Sequence, residues 1–190
     1  MDSVASVQSR SRNFGKLLLS GLLFELVWFL CVVSPGTALL TIVTLCNLLF
    51  HLWFFDLTGP GAGGIRGALR TLVWVAVVTV SGCVMDSLLF RFGLFETSSQ
   101  IVLLPVWLSL LWVNFALALR FAFHFLQRKF WVAALFGAIG GPASYLVGAK
   151  INASVSLAEP LGLSLAILAG LWTVYLPVVM QCAKAPVFRR

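Results

Sequence analysis

Charge is scarce in this chain. Only 10% of its 190 residues are charged, six of them acidic, and just two are histidine. So few polar side chains cannot cover a water-soluble domain of this size. Cysteine is also sparse. Cys31, Cys46, Cys83 and Cys182 fall in apolar runs or at their ends, without metal-ligand spacing or the even pattern of an extracellular disulfide framework. They read as small buried hydrophobes. No metal site, cofactor fingerprint or nucleophile triad can be assembled, so no metal and no cofactor are expected.

What the chain has instead is apolar length. It is 61% hydrophobic, with mean hydropathy +1.03. Six runs, at 17–33, 37–55, 70–90, 101–120, 131–149 and 161–180, approach the roughly 20 residues that a hydrocarbon core of about 30 Å requires. The expected fold is an all-α membrane protein, a bundle of six transmembrane helices. Its expected parts are a cytoplasmic tail at 1–16, a single transmembrane domain at 17–180 and a basic cytoplasmic tail at 181–190. The first run follows basic residues as a signal peptide would, but it contains Glu25 and no small-residue cleavage site follows. It is expected to remain as the first helix.

A net charge of +7 invites a nucleic-acid reading, yet the Lys and Arg residues stand singly or in pairs and form no continuous stripe. They alternate between connections. Arg10, Arg12, Lys16, Arg66, Arg70, Arg120, Arg128, Lys129, Lys184, Arg189 and Arg190 share one side, against Arg91 and Lys150 on the other. The positive-inside rule makes the first side cytoplasmic and puts both termini there. Trp53, Trp74 and Trp131 fall near the same boundary, where indoles favour the headgroup zone. The glycine-rich stretch Gly61 to Gly67 lacks the ending and spacing of a phosphate loop and reads as a flexible turn.

The polar residues within the apolar runs are the candidates for function. Glu25 lies near the membrane centre, where an acidic side chain costs about 2.5–3.5 kcal/mol unless it faces the bundle and is neutralised or paired. Asn47 and His51, four apart, share one helix face near its depth, so a Glu25, Asn47, His51 cluster is expected. Asp56 reads as solvated at the boundary. Asp86 sits near the outer end of the third run, where a cap or a pair with Arg91 would satisfy it. Trp107 and Asn114 share a face of the fourth run, and with Trp28 and Trp112 they could wall an apolar pocket with a polar floor. In the fifth run, Gly137 and Gly141 form a GxxxG pair suited to close helix contact. Pro142 there removes an amide and predicts a kink beside Gly140, Ser144 and Tyr145. For each of these residues a packing role is the alternative.

Glu25-x-x-Trp28-Phe29, His51-Leu52, Asp86-Ser87, Pro105-x-Trp107, Leu111-Trp112, Phe115 and Gly140-Gly141-Pro142-x-Ser144-Tyr145-x-x-Gly148-Ala149 together resemble a domain-of-unknown-function family of small bacterial inner-membrane proteins. The resemblance runs from about residue 17 to 180 and is most specific in the Gly-Gly-Pro-x-Ser-Tyr segment. It implies a multi-pass protein of the bacterial inner membrane and carries no reaction with it.

The leading expectation is a binding or transport-like module for a small hydrophobic or lipid-derived ligand. Its site would draw on Glu25, Trp28, Asn47, His51, Asp86, Trp107, Trp112, Asn114, Gly140, Gly141, Pro142, Ser144 and Tyr145. The alternatives are a lipid-modifying enzyme using Glu25 or His51 in acid-base chemistry, and an assembly partner docking another membrane protein through Gly137 and Gly141. The lipid bilayer is the expected surrounding partner, and no nucleic acid is expected.

Overall fold

The computed structural model describes residues 2–58, 62–97, 104–151 and 155–189, with side chains from residue 14 onward. Six α-helices account for most of it: α1 Asp2–Val33, α2 Thr37–His51, α3 Gly64–Arg91, α4 Val106–Phe121, α5 Phe130–Ile151 and α6 Leu161–Cys182. The breaks between them follow local chemistry. Ser34, Pro35 and Gly36 turn the chain between α1 and α2, while Pro105 and Pro160 stand immediately before α4 and α6, where a missing N–H leaves no bond unmade. Residues 2–16, within the segment expected as a tail, are helical and continuous with the rest of α1.

Five segments are long and apolar enough to cross a membrane: Phe14–Val33, Thr37–Leu57, Gly64–Arg91, Phe130–Ile151 and Leu161–Cys182. The chain is a multi-pass membrane protein. Its outward faces carry Leu22, Ile42, Val80, Ile139 and Val174, all exposed, as lipid contact requires. Cys46 and Cys182 are exposed on these faces too, so of the four cysteines only Cys31 is the fully buried hydrophobe expected of all.

The apolar run at 101–120 forms a shorter helix than expected. Residues 101–103 lie outside the described residues, and α4 has 16 residues, about 24 Å of helix. It is also the most enclosed. Every residue from Ala116 to Phe121 is buried, because α1, α2 and α3 all pack against α4. A helix surrounded in this way needs no amphipathic stripe.

α2 continues without a break into a π-helical turn, Leu52–Leu57, closed by Thr58 N–H to the Trp53 carbonyl at 3.0 Å. The wider turn rotates the following side chains, and Phe55 and Asp56 both point into the protein. Asp56 is therefore not solvated at the boundary. It is 1% exposed and accepts a hydrogen bond from Thr71 at 2.5 Å, while Thr71 accepts one from Arg120 Nε at 2.7 Å. Arg120, expected as a boundary cation, is thus an internal residue. Trp74 departs from the expected headgroup belt in the same way, buried with its N–H on the Ala116 carbonyl at 2.9 Å.

The C-terminal segment packs on this end of the bundle. Phe188 meets the Trp74 ring edge-on at 5.3 Å, and its carbonyl accepts from Arg120 at 3.1 Å. The Arg189 carbonyl accepts from Arg70 at 2.8 Å.

α5 and α6 form a close antiparallel pair. A Cβ at Gly137 would lie 2.3 Å from the Trp172 carbonyl oxygen, and one at Gly141 would lie 2.3 Å from Trp172 Cγ. The GxxxG face expected to dock another protein is consequently taken by α6 of the same chain. Helix α5 is continuous through Pro142, so the missing amide there does not break the helix.

At the end of the bundle holding Arg91 and Lys150, two short strands join the connections. β1, Phe95–Thr97, pairs antiparallel with β2, Val155–Leu157, with Phe95 opposite Leu157, Glu96 opposite Ser156 and Thr97 opposite Val155.

Candidate functional site

Between the α5–α6 pair and the rest of the bundle lies a cavity of about 350 Å³. Its size falls in the lower part of the roughly 300–1,000 Å³ typical of small-molecule sites. The α5 lining runs from Phe136 to Ala149, which makes the cavity about 20 Å long and therefore a narrow slot. Phe95 and Val155, from the two strands, cover the end nearest Arg91 and Lys150. Phe123 and Phe136 stand toward the other end.

Large aromatic rings hold the slot open. Trp112 of α4 and Trp172 of α6 stack at 5.8 Å with planes 6° apart, and Phe115 and Tyr175 meet this pair edge-on. Two indoles placed face to face keep α4 and α6 from closing on each other. The positions that admit them are glycines. A Cβ at Gly82 would lie 2.1 Å from Trp112 Cδ2, just as Gly141 gives way to Trp172.

Asp86, fully buried in α3, is the polar floor. Oδ2 accepts the Trp112 N–H at 2.6 Å, and Oδ1 accepts the Tyr145 hydroxyl at 2.5 Å. Three helices thus converge on one carboxylate, and the expected cap or pair with Arg91 gives way to two bonds into the cavity wall. Ser81 and Tyr175 are joined at 2.9 Å nearby.

Glu25 lies on the opposite wall, on α1, with Trp28 one turn further. It is exposed, as are Ala143 and Ser144 of α5, and all three also line the cavity. Residues that are both exposed and lining mark an opening. The slot therefore opens sideways between α1 and α5, within the apolar part of both helices.

Trp107, Gly140, Gly141, Ser144 and Tyr145 join Glu25, Trp28, Asp86 and Trp112 in this one cavity. Pro142 is buried beside it but does not line it. Asn47, His51 and Asn114 stand elsewhere, so the expected Glu25, Asn47, His51 cluster does not form. Asn47 Nδ2 donates to Asn114 Oδ1 at 2.7 Å, and Asn114 Nδ2 donates to Thr44 at 2.9 Å and to the Leu110 carbonyl at 2.8 Å. This set fastens α2 to α4.

His51 is 2.9 Å from the Asn47 carbonyl through Nδ1 and 2.9 Å from Ser20 Oγ through Nε2. A carbonyl only accepts, so Nδ1 carries the proton and Nε2 accepts from Ser20. The connectivity is that of a nucleophile and its base, but both residues are 1% exposed. The Phe55 and Phe121 rings pack on the imidazole at 5.1 and 5.2 Å, and the cavity does not reach it. Glu25 and His51 share no acid-base site. Among the described residues, no three His, Cys, Asp or Glu side chains gather as metal ligands would.

Trp172, Gly82 and the two strands were not singled out by sequence reasoning. A tryptophan in an apolar run has no distinguishing pattern, and three-residue strands fall below any periodicity signal. The i, i+4 pair of Gly137 and Gly141 was the only available pointer to a bulky residue opposite.

These features define an all-α, multi-pass membrane protein with an aromatic-walled cavity open to its side. Residues 17–178 match the family described as protein of unknown function (DUF2878), and the chain belongs to that family. No curated protein and no solved structure matches it.

Proposed function

We propose that this protein is a bacterial inner-membrane module that binds, and in a transport-like manner presents, a hydrophobic or lipid-derived ligand. The observation that carries the reading is the slot itself, about 20 Å long, walled by aromatic rings and entered from the side between α1 and α5. A ligand dissolved in the bilayer reaches such an opening without crossing water. Glu25 at the mouth and Asp86 at the floor supply the few polar contacts that orient a ligand in an otherwise apolar site.

In this reading all six helices cross the membrane, α4 being short because it is enclosed by its neighbours. Both termini face the cytoplasm, where the basic residues concentrate. The strand-capped end with Arg91 and Lys150 faces outward.

Mass spectrometry of the protein purified in mild detergent tests the proposal. One lipid species is expected to stay bound at a defined ratio and to be lost from Gly140→Leu, whose side chain enters the slot. Retention of bulk lipid alone, unchanged by that substitution, contradicts it.

A further inference from the structure

If the slot binds a ligand at all, its charges restrict which one. The chain carries 13 Lys and Arg against six Asp and Glu, yet the formally charged side chains lining the cavity, Glu25 and Asp86, are both acidic. Among the described residues no Lys, Arg or His lines it. In a site of low dielectric, a phosphate or carboxylate headgroup would meet two carboxyl groups and no compensating charge.

The walls point the same way. Trp28 and Trp107 line the slot beside α1, apart from the stacked Trp112–Trp172 pair, and the negative face of an indole is the best aromatic partner for an organic cation. Asp86 already accepts from Trp112 and Tyr145, one bond at each oxygen, so it is built into the floor. Glu25 is different, exposed at the side opening with Trp28 a turn away on the same helix. An entering headgroup meets this carboxyl first.

We propose that the ligand is a cationic amphiphile. Its apolar tail lies along the slot, and its ammonium-type headgroup sits between Glu25 and the Trp28 and Trp107 rings. Asp86 adds a second negative level deeper in the cavity, so one acidic group receives the cation and the other holds the field along the slot. A quaternary ammonium fits as well as a primary amine, because attraction to an indole face requires no donated hydrogen bond.

Three probes with the same tail test this: hexadecyltrimethylammonium, hexadecanol and palmitate. Each is added at equal concentration to the full-length protein in phosphatidylcholine nanodiscs. Retained molecules are counted by native mass spectrometry against empty nanodiscs. The ammonium is expected to be retained at least about tenfold over the other two, and to lose about that factor in Glu25→Gln while hexadecanol does not change. Equal retention of all three, or preference for palmitate, overturns the cation assignment and leaves the apolar binding site standing. If none is retained above Gly140→Leu protein, the binding reading fails together with it. The wild-type comparison among three headgroups stands on its own, whether or not a variant folds.

Discussion

Trp112 donates its indole N–H to Asp86 Oδ2 at 2.6 Å, and it reaches the carboxylate only because Gly82, one turn earlier on the same helix as Asp86, has no side chain. Four residues apart on α3, Gly82 and Asp86 act as seat and latch for one ring of α4. The pair fixes the separation between helices at the place where the cavity is deepest.

Gly82→Ala tests the seat. Its Cβ would stand 2.1 Å from Trp112 Cδ2 and 2.2 Å from Cε3, so the ring must move. A loss of about 1–3 kcal/mol from overpacking is expected. A lower unfolding temperature in detergent and altered tryptophan fluorescence would report it, whereas a wild-type melt would show that the ring is not held there.

The latch is tested by a double-mutant cycle. Trp112→Phe keeps an aromatic ring but removes the donor from a buried carboxylate, at an expected cost of about 1–3 kcal/mol. Combined with Asp86→Asn, the two changes should be non-additive by about 0.5–3 kcal/mol. Strict additivity in reversible unfolding would mean that the bond contributes nothing.

Neighbouring glycines on α5 should behave oppositely. Gly141→Ala drives a methyl into the Trp172 ring, at 2.3 Å from Cγ, and is expected to separate α5 from α6. At Gly140 the nearest atom is the Phe136 ring at 3.9 Å, so Gly140→Ala should be neutral or stabilising by up to about 1 kcal/mol through helix propensity. Equal effects in the two melts would contradict the α5–α6 packing.

His51→Ala removes the Ser20 and Asn47 contacts from an enclosed site. The expected result is a lower unfolding temperature with no change in ligand retained per folded molecule. Loss of retention without loss of stability would place His51 in the binding site after all.

The strand cap can be locked. Glu96 and Ser156 are directly opposed and both exposed, and opposed residues of an antiparallel pair stand about 4.5–5.5 Å apart at Cα, within disulfide range. With the four native cysteines replaced by serine, Glu96→Cys with Ser156→Cys should cross-link on mild oxidation, seen as a mobility shift on non-reducing gels. Absence of the shift would contradict the register.

The sequence made most of the helices legible, because apolar runs bounded by Pro, Gly and basic residues leave little choice of structure. It also marked Glu25, Trp28, Asp86, Trp107, Trp112, Gly140, Gly141, Ser144 and Tyr145, which the fold gathers into one cavity. It misassigned Asp56, Arg120 and Trp74 to the boundary. Each lies near the end of an apolar run, and depth along a helix says nothing of which way a side chain faces. The π turn that carries Asp56 inward leaves no signature in hydropathy. The grouping of His51 and Asn47 with Glu25 failed for a related reason: similar depth on adjacent helices is not contact, and Ser20 and Asn114 were the partners within reach.

The enclosure of α4 bears on how the protein is made. Asn114 and Arg120 are the polar burden of α4, and most of their partners, Thr44, Asn47 and Thr71, lie on α2 and α3. Those helices leave the ribosome first. On the six-span reading, an earlier half of the molecule is already in place when α4 is synthesised, so the order of synthesis supplies partners for its polar groups as it inserts.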